Sequence, residues 1–142
     1  MVILTIKSFH LQSIQFYERE ADLSTSAVLK EWKVLGFGKH PEIGEAVQAR
    51  LREAGLAATV IVLADDEAGD ARLARELGDA DYDGVIIGSF ISGQDPELPP
   101  TEETTLWFNR VLNVIHAHAP AAKLILVRNP GDALPAISRV LG

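Results

Sequence analysis

The sequence predicts an open, three-layer α/β sheet of parallel strands, flavodoxin-like or Rossmann-like in outline, over residues 32–142. Three observations predict it. Four short, nearly continuous apolar runs read as strands buried on both faces. Segments of helical periodicity separate them. Each separation is long enough for the right-handed crossover that neighbouring parallel strands require. A chain of 142 residues, 47% apolar and 23% charged, fits one globular domain and argues against disorder.

The elements follow in order. Trp32–Gly36 is a short apolar run ending in glycine, read as the first strand. A helix is expected over Glu42–Ala54, where Ile43, Ala46, Val47, Leu51 and Ala54 fall at helical spacing. Pro41 suits its first turn, and Gly55 stops it. Ala58–Ala64 is apolar and β-branched in its middle, a second strand, and a short helix from Gly69 to Leu77 follows. Asp83–Gly88 is the third strand, Thr101–Ala119 the longest helix and Lys123–Val127 the fourth strand. Asn129-Pro130-Gly131-Asp132 makes a turn with Asp132 placed to cap a last helix, in which Ala133, Ala136, Ile137 and Val140 share a face. The expected strand order is 2-1-3-4. Residues 1–31 stand apart as an N-terminal extension: an added edge strand and helix, or a dimerisation arm.

Composition excludes several classes of function. Without cysteine there is no disulfide framework, thiolate metal site or cysteine nucleophile. No apolar run approaches the roughly 18–20 residues of a membrane span, and the short apolar start lacks the pattern of an export signal, so a cytoplasmic location is expected. Residues 65–103 hold twelve acids against two arginines, and no basic stripe exists to neutralise phosphates, so no nucleic acid partner is expected.

In an open parallel sheet, ligands bind beyond the carboxyl ends of the strands, where the winding reverses. The polar residues expected there include Lys39, His40, Ser89, Ser92, Arg128 and Asn129. Gly36-x-Gly38, read as a turn after the first strand, invites a dinucleotide reading with Asp65 as the ribose acid. The fingerprint fails at Pro41, where its third glycine should stand, and Glu42 and Glu45 put negative charge where a pyrophosphate would sit. The acidic pair and phosphoacceptor aspartate of a receiver domain are replaced by Lys39-His40 and Ser89. Neither serine sits in a Gly-x-Ser-x-Gly elbow. His116 and His118 point roughly 200° apart on a helix and cannot chelate one ion, so neither a metal nor a cofactor is expected. The connection from Ser89 to Pro100 is long for a strand-to-helix loop, and is stiffened by prolines.

Tyr82-Asp83-Gly84-Val85-Ile86-Ile87-Gly88 and Leu112-Asn113-Val114-Ile115-His116-Ala117-His118-Ala119-Pro120 resemble the YDxVVIG strand and NVVHxHAP helix end of a family of small, uncharacterised bacterial α/β proteins. The resemblance spans roughly residues 32–141 and implies the fold; that family carries no settled activity, and often has an acid where this chain has Lys39-His40.

The leading expectation is a self-associating α/β module that binds a small ligand or protein partner at the carboxyl edge, through Gly36, Gly38, Lys39, Ser92, Arg128 and Asn129. Its dimer surface would be the helix Thr101–Ala119, whose apolar arc looks wider than one sheet contact demands, with Trp107 and Val114 on its flanks. One alternative is a small enzyme acting on an anionic metabolite, with His40 as general base, Ser89 beside it and Arg128 as anion clamp. The other is a nucleotide-binding protein at Gly36, Gly38 and Asp65.

Overall fold

A computed structural model of the chain describes residues 31–142. The N-terminal extension, up to residue 30, lies outside the described residues. The elements are β1 (Lys33–Gly38), α1 (Pro41–Glu53), β2 (Ala57–Val62), α2 (Glu67–Gly78), β3 (Gly84–Ile87), α3 (Ser89–Ser92), α4 (Glu102–His118), β4 (Lys123–Leu126), a 3-10 turn (Pro130–Asp132) and α5 (Ala133–Leu141). The four strands form one parallel sheet in the order β2-β1-β3-β4, with Gly36 level with Val60 on one side and Ile86 on the other. This is the expected three-layer α/β fold and the expected strand order.

Period-two alternation sorts the strand side chains into two cores. Val34, Ala58, Ile86 and Ile125 point to the face covered by α1 and α5, meeting Leu51, Leu134 and Ile137. Leu35, Phe37, Ile61, Val85 and Ile87 point to the other face, against Leu73 and Leu77 of α2, Ile91 of α3 and Trp107, Val111 and Ile115 of α4. Local chemistry sets the helix starts. The Asp66 carboxylate accepts the Gly69 N–H at 2.8 Å to cap α2, and Thr101 and Thr104 form a reciprocal capping box on α4. Arg110 on α4 ties the layer together, donating to Asp70 on α2 at 2.9 Å and to Asp65 beyond β2 at 2.6 Å. Those two hydrogen bonds push the guanidinium pKa above its ordinary value.

Four expectations are corrected. β1 runs two residues further than Trp32–Gly36, so Gly36-x-Gly38 is strand and not a turn. The Ser89–Pro100 connection begins with the short helix α3, closed by Gly93 at φ 73°. The fourth strand is not buried on both faces. Leu124 and Leu126 are 45% and 38% exposed, because α4 lies beside α2 and α3 rather than over β4, and no further strand pairs with β4 among the described residues. The arc on α4 is not spare, since Trp107 is only 2% exposed and Val114 packs against the same core; the large exposed apolar residue of α4 is Leu106. Among the described residues no helix is long and apolar enough to cross a membrane.

Two glycines should respond oppositely to alanine. A Cβ on Gly69 would stand 2.0 Å from the Ala64 carbonyl oxygen, a backbone atom that cannot swing away. Gly69→Ala is expected to cost about 3 kcal/mol in urea unfolding. A Cβ on Gly38 meets nothing within 4 Å. Gly38→Ala is expected to stabilise by about 0.5 kcal/mol, through the smaller entropy of the unfolded chain. Equal effects at the two positions would contradict this packing.

Candidate functional site

β1 and β3 are the neighbours between which the winding reverses, since β1 leads outward to β2 and the chain then returns to β3 on the other side. On the α1/α5 face of β1 the residues read Val34, Gly36, Gly38, so only the first carries a side chain. A cleft of about 530 Å³ opens there, within the range usual for metabolite sites. Its floor is Gly36, Val60, Ile86 and Val127, one wall is Ile43, Gly44 and Val47 of α1, and the other is Pro130 and Ala133. The interior is therefore apolar.

The polar groups are Lys39, His40, Glu42, Ser89 and Asp95. Lys39 and His40 form the two-residue link from β1 to α1, and His40 stands at the N-cap without capping the helix through its side chain. Phe90, the second residue of α3, sits between them. The Lys39 ammonium lies 4.7 Å from the centre of its ring, and the His40 ring meets it edge-on at 6.2 Å. Ser89 and Asp95 are each only 6% exposed. The Ser89 hydroxyl has no hydrogen-bond partner among the described residues. Asp95 accepts the Glu97 N–H at 2.9 Å through Oδ1, and its Oδ2 has no partner among the described residues.

The strand ends that frame the cleft are held by backbone contacts. The Gly88 N–H donates to the Phe37 carbonyl at 2.9 Å, and a Cβ on Gly88 would stand 2.8 Å from that oxygen, so the chain leaves β3 this close to β1 only with glycine. The Leu63 N–H donates to the Gly38 carbonyl at 2.9 Å.

The structure brings together Gly36, Gly38, Lys39, His40 and Ser89 of the expected site residues, and leaves out Ser92, Arg128 and Asn129. Ser92 is buried on α3, its hydroxyl unpartnered but away from the cleft. Arg128 is exposed, and the Asn129 side chain accepts the Gly131 N–H at 2.9 Å to start the 3-10 turn. Asp132, expected as a helix cap, makes no capping bond. Buried to 5% exposure, it accepts the Arg128 N–H at 3.0 Å and a two-pronged contact from Arg139 at 2.8 and 3.2 Å, which raises the arginine's pKa. Asp95 was not foreseen; it lies inside the proline-stiffened connection from Ser89 to Pro100, in which the sequence singled out only the two serines. Among the described residues no group of three or more His, Asp or Glu side chains could hold a metal.

Fold and site together define a parallel α/β domain with an apolar cleft at the switch point of its sheet. No protein-family model matches the chain, and no curated protein matches it.

Asp132 anchors the turn that forms one wall of this cleft. Asp132→Ala is expected to lower stability by about 2 kcal/mol, because a buried carboxylate with three donors is lost. Arg139→Ala is expected to cost about 1–2 kcal/mol, since it leaves the buried carboxylate with the Arg128 N–H alone, while water can reach the place of the half-exposed guanidinium. Urea titrations of the two variants compare them directly.

Proposed function

We propose that the protein is a binding module that takes a small molecule in the cleft between α1, α5 and the carboxyl edge of β1 and β3. The single observation that carries this reading is the absence of side chains on one face of the central strand at the point where the sheet reverses its winding. An apolar interior with a few polar groups at its rim is what a small-molecule site requires: burial supplies affinity and the polar groups fix orientation.

The enzyme alternative gains His40 and Ser89 in one cleft but loses Arg128 as its clamp. The nucleotide alternative meets Pro41 and Glu42 on the wall where phosphates would approach α1. The resemblance noted in the sequence adds no site. Its helix-end motif closes α4 at the amino edge of the sheet, opposite the cleft, while its strand motif supplies Gly88.

Gly38→Leu tests the proposal. The new side chain projects from the cleft face of β1 into open space, so the fold should keep its thermal midpoint. Indole serves as a neutral ring-sized probe in 1H–15N NMR titrations at millimolar concentration. It is expected to shift the Gly36, Gly88 and Ser89 amides of the wild type and to leave those of the variant in place. Shifts scattered over the surface, or equal in both proteins, would refute the proposal.

A further inference from the structure

The polar inventory of the cleft states what kind of molecule it can receive. The two rim groups buried beyond nine-tenths are Ser89 and Asp95. A carboxylate only accepts hydrogen bonds, and Asp95 has one oxygen engaged by the Glu97 N–H and Oδ2 unpartnered among the described residues. That oxygen is open to solvent from the cleft, and a ligand donor can take the place of water on it. The Ser89 hydroxyl, likewise unpartnered, can give or take a hydrogen bond.

The charges around these two groups are of both signs. Glu42 adds a second carboxylate to the cleft wall, in the first turn of α1, where it offsets the positive end of the helix. The ammonium of Lys39 already lies over the Phe90 ring. An anionic head group reaching Asp95 would meet a buried carboxylate that offers it no hydrogen bond. A head group with N–H donors meets the opposite situation.

Resting on the binding-module reading, we propose that the ligand of this cleft is an apolar, ring-sized body carrying an amine or other N–H donor. The body lies on the glycine floor between α1 and α5. The donor bonds to Asp95 Oδ2, with the Ser89 hydroxyl beside it as the second polar contact. The ligand class is neutral or cationic, because Asp95 can only accept and gives a phosphate or carboxylate nothing to bond to.

Three probes with one ring system separate the possibilities: indole, tryptamine and indole-3-propionate, titrated by 1H–15N NMR into wild type, Asp95→Asn and Ser89→Ala. Tryptamine is expected to bind at least about tenfold more tightly than indole-3-propionate, the scale of one charge-assisted hydrogen bond. Asp95→Asn retains an oxygen for the Glu97 N–H, so the local turn persists. It should bring tryptamine and indole-3-propionate to similar affinity and leave indole unchanged, which also separates a site effect from general attraction of a cation to an acidic protein. Ser89→Ala is expected to weaken tryptamine severalfold without reversing the preference. If indole shifts the cleft amides but the two charged probes bind alike, or the carboxylate binds better, the donor inference falls and the cleft reading stands. If none of the three shifts those amides, both fall.

Discussion

The molecule is organised by the alternation of side chains along β1. Because this strand is central and parallel to both neighbours, each of its faces must be covered, and what it presents decides what the covering layer can do. One face offers Leu35 and Phe37, on which α2, α3 and α4 close a dry core. The other offers Val34 and then two glycines, so α1 and α5 find a full core at the amino end and none at the carboxyl end. A shift of one residue in register would exchange the faces. The glycines would then lie under α4 and the cleft would vanish. Register, and through it the bonds of Leu63 to Gly38 and of Gly88 to Phe37, is what holds a cleft open in a sheet that is otherwise packed.

Rigidity around the cleft comes from contacts made outside it. Asp132 fixes one wall through Arg128 and Arg139, and Gln48 of α1 accepts the Val60 N–H at 2.8 Å, which holds the opposite wall to β2. Phe90 joins the loops after β1 and β3 by stacking against Lys39 and His40. Binding groups placed on a scaffold fixed in this way lose little conformational entropy when a ligand arrives.

The fold was legible because continuous apolar runs are a strong signal, and ATVIVLA and DGVIIG leave little choice but buried parallel strands. The same signal misled at β4. An apolar run shows that a strand can be buried on both faces, whereas coverage depends on where a distant helix comes to lie; α4 follows α2 and leaves Leu124 and Leu126 open. At β1 the error had another origin. Glycine is read as a breaker, so the strand ends at Gly36 and Gly38 falls beyond it, and the actual role of the two, leaving volume on one strand face, is out of reach of a turn argument. Lys39, His40 and Ser89 were legible because strand ends are where sites form. Asp95 was not, because only α3 and the Gly93 turn carry the chain back so that its carboxylate lines the cleft. Arg128 and Asn129 obey the strand-end rule and still miss the site, since the 3-10 turn takes the Asn129 side chain for itself.

The glycines also separate structural demand from functional room. Gly84 has a place because a Cβ would stand 2.6 Å from the Ile125 side chain, Gly88 because it would stand 2.8 Å from the Phe37 carbonyl oxygen, and Gly36 because it would press Val60 at 3.3 Å. The backbone contact at Gly88 cannot give, whereas those at Gly84 and Gly36 are with side chains that would have to shift. Gly38 has no such reason. It lies in regular strand, its φ is not positive, and the space before its α-carbon is open. Glycine in a strand weakens it, by entropy and by lost packing, and almost any side chain there would cover apolar surface that the cleft leaves to solvent. A position that departs from local preference without a local reason is best explained by what it leaves free. At Gly38 that is room in the cleft, beside Lys39 and Gly88.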